Sequence, residues 1–375
     1  MEKTSNNQQK LDYTQLFNEN FNIGLKQILK FSLRNPGMAW FMAGEIIRFY
    51  FADRRRKKWA SKGVKVPPML IYSVTAECNL DCHGCYAKLL HASKNGEFNA
   101  QQFEDVIRQA DEVGVSYILV AGGEPFSRPE LLDVTASHPS IIFTPFTNGL
   151  LVTDEHIRKL KKQKHVLPIV SFEGYELETD ERRGQGVYEN GFALLEKLSN
   201  QGIYYGVSIT TTRENLDTIS DEAFISRLAK LGCKVFFFIN YIPVEKGTEK
   251  LVMTQEQFNQ LNQSMAQYRR SYEALFLAFP GSELDFGGCL AAGKGFVHIN
   301  AEGDVEPCPF SPYSDASLKQ MSLVDALKSP LLKTIRDAGK RLDESNGVCA
   351  LWQNREWVKS LVESEYTVSP SGTPR

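Results

Sequence analysis

The segment AECNLDCHGCYAK, residues 76–88, carries Cys78, Cys82 and Cys85, separated by three and then two residues. Three thiols this close together imply metal chemistry. A structural zinc site takes four protein ligands and a catalytic one takes three plus water, and His83 inside the triplet could be recruited to such a set. A cuboidal iron-sulfur cluster on three thiolates fits better, because its fourth iron is then free to bind something else. Idle thiols on a loop would be reactive, so three unligated cysteines are the poorest reading. Gly122-Gly123-Glu124-Pro125 is a second polar turn, and Cys289, Cys308 and Cys349 form a second cysteine set far down the chain. Cys233 precedes the apolar run VFFFIN and reads as a core residue.

The elements that must position these groups alternate between two periods. Apolar, β-branched or aromatic runs at 69–75, 116–123, 141–149, 166–174, 203–212 and 234–242 predict six strands. Helical patterns at 99–114, 153–163, 188–202 and 220–232 lie between them, several opening on an N-cap residue and closing at glycine. Strand, helix, strand in repetition means parallel strands joined by right-handed crossovers. The fold class is therefore α/β, a partial (β/α)6 TIM-like barrel, whose functional groups belong at the C-terminal ends of the strands. The cysteine triplet follows the first strand, Gly122 to Pro125 the second, Thr147-Asn148-Gly149 the third, and Ser171 with Glu173 the fourth.

With that placement, Cys78-x3-Cys82-x2-Cys85 resembles the signature of the radical S-adenosylmethionine (SAM) superfamily. The resemblance implies a catalytic 4Fe-4S cluster on Cys78, Cys82 and Cys85, with SAM chelating the open iron. It also implies reductive cleavage of SAM to a 5′-deoxyadenosyl radical that abstracts hydrogen from an unactivated carbon. Gly122, Gly123, Glu124 and Pro125 resemble the element whose backbone positions the SAM amino group. Ser171 and Glu173 resemble the polar end of the fourth strand. Arg183-Gly184-x-Gly186 resembles a loop found in many members, Ser208 a ribose-contacting position, and Asn240 a residue near the adenine. Asn148 and Tyr86 complete the expected cofactor-binding set. Many relatives carry an aromatic residue just before the third cysteine, where this chain has Gly84 and then Tyr86.

The segment 287–310 reads as a β-hairpin, FVHIN and DVEPC around AEG, with Cys289 and Cys308 at its ends. It resembles the opening of the auxiliary-cluster extension called SPASM, or its shorter form, Twitch. With Cys349 as the remaining cysteine, a complete two-cluster extension is excluded by count. One auxiliary cluster on Cys289, Cys308 and Cys349 remains, or a degenerate extension with none.

At 375 residues with 23% charged side chains, the chain is long enough for one large domain with appendages. Its net charge of −2 gives no overall attraction to nucleic acid. Seven cysteines, no signal peptide and no apolar run long enough to span a bilayer point to a reducing cytoplasm; the resemblance adds that the protein is oxygen-sensitive. The divisions are an N-terminal helical region (1–67), a core barrel (68–280), the extension (281–360) and a disordered tail (361–375). Residues 1–63 hold twelve Lys/Arg against five Asp/Glu, and Arg54, Arg55, Arg56, Lys57 and Lys58 directly follow an apolar stretch containing Ile46, Ile47, Phe49, Tyr50 and Phe51. Residues 14–58 are expected either to lie on the inner membrane surface or to pack against the barrel.

The function expected is radical chemistry on a hydrophobic, lipid-related or small-molecule substrate, with a reductant such as flavodoxin or ferredoxin as partner. Two rivals stand beside it. One is a peptide or protein maturase and the other a non-enzymatic iron-sulfur accessory protein.

Overall fold

The computed structural model describes residues 36–93, 96–280, 288–342 and 348–366. Among these residues, nine strands form one sheet in the order β7-β6-β5-β4-β3-β2-β1-β8-β9. The first six fall within the six predicted runs: β1 (Met69–Ser73), β2 (Tyr117–Ala121), β3 (Ile142–Thr147), β4 (Ile169–Phe172), β5 (Gly206–Thr211) and β6 (Val235–Asn240). All six are parallel to their neighbours, as the crossover helices require. The sheet extends past the expected six at both ends. β7 (Leu275–Phe279) adds parallel to β6, and β8 (Phe296–Ile299) adds parallel to β1, with Met69 opposite Phe296. β9 (Val305–Glu306) closes the expected hairpin with β8, pairing His298 with Glu306. The extension is therefore built onto the barrel's own edge strand.

In chain order the helices that matter here are α1 (Pro36–Ala60), α2 (Tyr86–Leu90), α3 (Ala100–Val113), α4 (Leu131–Ser137), α5 (Asp154–Lys162), α6 (Glu176–Arg183), α7 (Val187–Asn200), α8 (Glu222–Leu231), α9 (Gln255–Ser271) and α10 (Arg355–Tyr366). Helix α3 shows how the sequence makes them. Asn99 and Gln102 exchange hydrogen bonds as a capping box, Phe103, Val106, Ile107, Ala110 and Val113 form a buried stripe, and Gly114 ends the helix in the left-handed region. α10 continues to Tyr366, so residues 361–366 of the expected disordered tail are helical; those beyond lie outside the described residues.

Because side chains alternate across a strand, each strand sends one set of residues outward beneath the helices and the other into the barrel. On β6, Phe236 and Phe238 are fully buried on the outer side, whereas Phe237 and Ile239 line the interior cavity. Met69 and Ile71 on β1, Leu119 and Ala121 on β2, and Ser208 and Thr210 on β5 follow the same rule.

Helix α1 packs on the outside of the barrel. Arg55 and Arg56, expected on one reading to face anionic lipid, turn inward instead: Arg55 pairs with Asp111 at 3.1 Å, and Arg56, 2% exposed, bonds Ser116 Oγ at 2.9 Å and the Gly114 carbonyl. Lys57 pairs with Asp53 on its own helix. Ile47, Tyr50 and Phe51 remain exposed. No helix among the described residues is long and apolar enough to cross a membrane. Residues 14–35 of the expected N-terminal stretch lie outside the described residues.

Candidate active site

The strand ends converge on a cavity of about 280 Å³ whose wall includes both cysteine triplets, Cys78, Cys82 and Cys85 from the loop after β1 and Cys289, Cys308 and Cys349 from the extension. None of the six is in a disulfide. Of the other expected site residues, Tyr86, Gly122, Gly123, Glu124, Asn148, Ser171, Arg183, Ser208 and Asn240 also line it. Glu173 and Pro125 do not. Cys233 is a buried core residue away from this wall, 1% exposed.

The turn after β2 is locked to the cysteine loop through its backbone. Gly123 N–H donates to the Thr75 carbonyl at 2.7 Å, and Glu124 N–H to the Glu77 carbonyl at 2.8 Å. A Cβ on Gly123 would lie 1.9 Å from Glu77 O, so only glycine permits this approach. The Glu124 carboxylate, 1% exposed, accepts hydrogen bonds from Thr147 Oγ1, Asn148 N and Phe126 N, tying the ends of β2 and β3 together. Burial raises its pKa against those bonds. Asn148 Nδ2 in turn reaches Asn79 Oδ1 at 2.8 Å and lies 3.9 Å from Cys78 Sγ.

Glu173 sits behind the wall, 1% exposed, where its Oε1 accepts from Arg182 Nη1 at 2.6 Å and Arg183 Nε at 2.8 Å. Its place is to orient two guanidiniums that do face the cavity. Sequence reasoning named Arg183 and passed over Arg182, although the doubled arginine ending α6 was the signal. Burial pushes the Cys82 thiol pKa up, opposed by Arg183 and Arg182; burial likewise raises that of Cys78. Ser171 Oγ and Ser208 Oγ, opposed in register on β4 and β5, are 3.0 Å apart. Asn240 uses both ends of its amide, accepting from Thr211 Oγ1 and donating to the Pro280 carbonyl at 2.6 Å.

Tyr241, just after β6, was missed. Gly84 has φ +66°, and a Cβ there would lie 2.3 Å from the Tyr241 hydroxyl oxygen, so the tyrosine ring fills the space beside the cysteine loop. Among the described residues that hydroxyl is buried without a hydrogen-bond partner, as is Glu173 Oε2. Gly84 N–H donates to Glu245 Oε2 at 3.1 Å, a second tie from the same post-β6 loop. Below this polar rim the wall is apolar, with Phe146, Phe237, Ile239 and Phe279 prominent.

Three soft sulfur donors on one short loop, a glycine cradle and paired guanidiniums are the donor set that an iron-sulfur cluster and an amino-acid-bearing nucleoside would need, and the residues fit both. Comparison with known proteins points the same way. Residues 72–224 match the family model described as the radical SAM superfamily. Mycofactocin maturase MftC of Mycolicibacterium smegmatis is 30% identical over 272 residues, spanning 67% of this chain and 66% of that protein. The AdoMet-dependent heme synthase of Methanosarcina barkeri is 23% identical over 319 residues, 77% of this chain and 89% of that one. Among solved structures, Streptococcus suis SuiB bound to S-adenosylmethionine superposes with a TM-score of 0.64 at 20% identity, over 86% of this chain and 79% of that one, a likeness of fold.

Proposed function

Because the chain belongs to the radical SAM superfamily, we propose that Cys78, Cys82 and Cys85 hold its 4Fe-4S cluster and that the cavity presents an apolar part of the substrate to it. When bound, cluster and SAM supply chemistry that side chains lack, one-electron reduction of a sulfonium and hydrogen abstraction from an unactivated carbon. The chain's own residues bind and orient. The backbone of Gly122 and Gly123 holds the SAM amino group, Arg182 and Arg183 meet its carboxylate as charge-assisted donors, and Ser171 and Ser208 meet the ribose hydroxyls. Phe146, Phe237, Ile239 and Phe279 exclude water and leave an apolar group as the natural occupant. The second triplet holds an auxiliary cluster in a Twitch-like extension.

The observation that carries this reading is the convergence of both cysteine triplets on one cavity. A peptide-maturase reading is favoured by one finding, the 30% identity to a mycofactocin maturase, and it differs only in what carries the apolar group. The test is 5′-deoxyadenosine formation by anaerobically prepared protein given SAM and a strong reductant. Wild type should produce it and Cys78→Ala should not. No product from cluster-loaded wild type, or equal product from the variant, overturns the proposal.

A further inference from the structure

Outside the cavity wall, His91 follows α2, His298 sits on β8, and Glu306 sits opposite it on β9. One ligand atom from each lies within 4.8 Å of the others. The inward atoms are Nδ1 of both histidines and Oε2 of the glutamate: His298 Nδ1 is 2.6 Å from Glu306 Oε2, and His91 Nδ1 is 3.7 Å from it. Each outward atom is anchored. His91 Nε2 lies 2.6 Å from the Pro309 carbonyl, His298 Nε2 lies 2.7 Å from Ser73 Oγ, and Glu306 Oε1 accepts from Asn300 Nδ2 at 2.9 Å.

We propose that His91, His298 and Glu306 bind a divalent transition metal ion, zinc being the probe of choice, through two imidazole nitrogens and one carboxylate oxygen. Metal-ligating histidines characteristically donate their other ring N–H to an oxygen, and ligating carboxylates are themselves hydrogen-bonded; all three outer partners are in place here. The His91 tautomer makes the case sharper. Only an N–H can face the Pro309 carbonyl, so the neutral ring turns a lone pair toward a carboxylate oxygen, in a place where the His298 and Glu306 side chains are 0% and 4% exposed. A cation between them converts that opposition into ligation. Tetrahedral zinc with bonds of ~2.0 Å sets its ligand atoms about 3.3 Å apart. The 3.7 Å pair is near that spacing, and the 2.6 Å pair would open by less than 1 Å. A mixed nitrogen and oxygen donor set suits zinc and its first-row neighbours, with the remaining position left to water. The ion would staple the helix that follows Cys85 to the hairpin that carries Cys308, fixing one cysteine set against the other. The proposal does not rest on cluster chemistry.

The test is zinc, iron and sulfide content of protein purified anaerobically from zinc-supplemented cells, with zinc-edge X-ray absorption on the wild type. The expected result is about one zinc per chain, surrounded by nitrogen and oxygen at ~2.0 Å with no sulfur at ~2.3 Å. Glu306→Gln and His298→Gln should each lose at least tenfold in zinc with iron and sulfide unchanged. Wild type without stoichiometric zinc leaves only a hydrogen-bonded network and overturns the proposal. So does zinc retained in both variants, or a sulfur shell, which would place zinc at the cysteines. Where a variant fails to fold, the wild-type stoichiometry and absorption spectrum decide alone.

Discussion

Gly84 stands just before Cys85, where the family resemblance led one to expect an aromatic side chain, and the sequence alone left that side of the site unexplained. The structure accounts for it through a residue 157 positions away: the Tyr241 ring stands where any Cβ on Gly84 would go, and φ at Gly84 is +66°. Gly84→Ala should therefore displace the loop between Cys82 and Cys85 and lower bound iron well below wild type. Tyr241→Phe in that background, which removes the 2.3 Å contact, should recover part of the iron. Iron analysis of the three proteins checks it, and an undiminished iron content in Gly84→Ala would count against it. Glu173 makes a different point. Its polarity at a strand end was legible, but its direction was not, because a four-residue strand of wholly buried side chains gives no sign of which face holds the site. With Arg182 and Arg183 both on its Oε1, Glu173→Ala would leave two guanidiniums facing each other without a counter-charge. Loss of one member of a buried pair costs roughly 3 kcal/mol or more. Anaerobic urea unfolding followed by tryptophan fluorescence should show that loss.

At the scale of elements, β1 to β6 were legible because each is a short apolar run bounded by turn residues, and the principal helices because they carry caps and a 3.6-residue stripe. β7 was not seen: LFLAF is five residues long and lacks a strong turn signal at its start. The hairpin was seen, but its pairing with β1 was not, since contacts between residues 69–72 and 296–299 leave no periodicity in either segment. Helix α5 carries a testable pH dependence. At its start His156 Nδ1 accepts the Thr153 N–H in a capping box, and just past its end His165 Nε2 donates to the Thr135 carbonyl at 2.9 Å. Burial is the largest cause lowering both pKa values. A histidine with a depressed folded-state pKa binds more protons when unfolded, so stability is present above the unfolded value of about 6.5 and falls as pH drops through it. The urea midpoint should decrease from pH 7.5 to pH 5.5, and His156→Gln/His165→Gln should flatten that slope. An equal slope in the variant would remove these two residues from the account.

For the whole molecule, the question is why a barrel should carry a second cysteine set at all. A pendant domain would place those thiols at a distance. Here β8 joins the barrel sheet through β1, the same strand whose following loop bears Cys78, Cys82 and Cys85, so both sets are referred to one rigid edge. Cys289, Cys308 and Cys349 are each 6–7% exposed and reach the same cavity from residues 60 positions apart. The spacing of Cys289 and Cys308 around a hairpin was readable, and Cys349 was grouped with them as the cysteine that remained; the route by which the final helices bring Cys349 to the same cavity wall was not, because it depends on how they fold back on the core. If each triplet holds a cubane, anaerobically reconstituted wild type should contain about eight irons per chain. Cys308→Ala should contain about four and retain reductive cleavage of SAM, because the first triplet is intact. Cys82→Ala should also contain about four but lose that cleavage. Two variants with equal iron and opposite activity would separate the roles of the triplets. Four irons in the wild type, unchanged in Cys308→Ala, would mean that the second set is a structural relic of the extension, with its thiols serving only as part of the cavity wall.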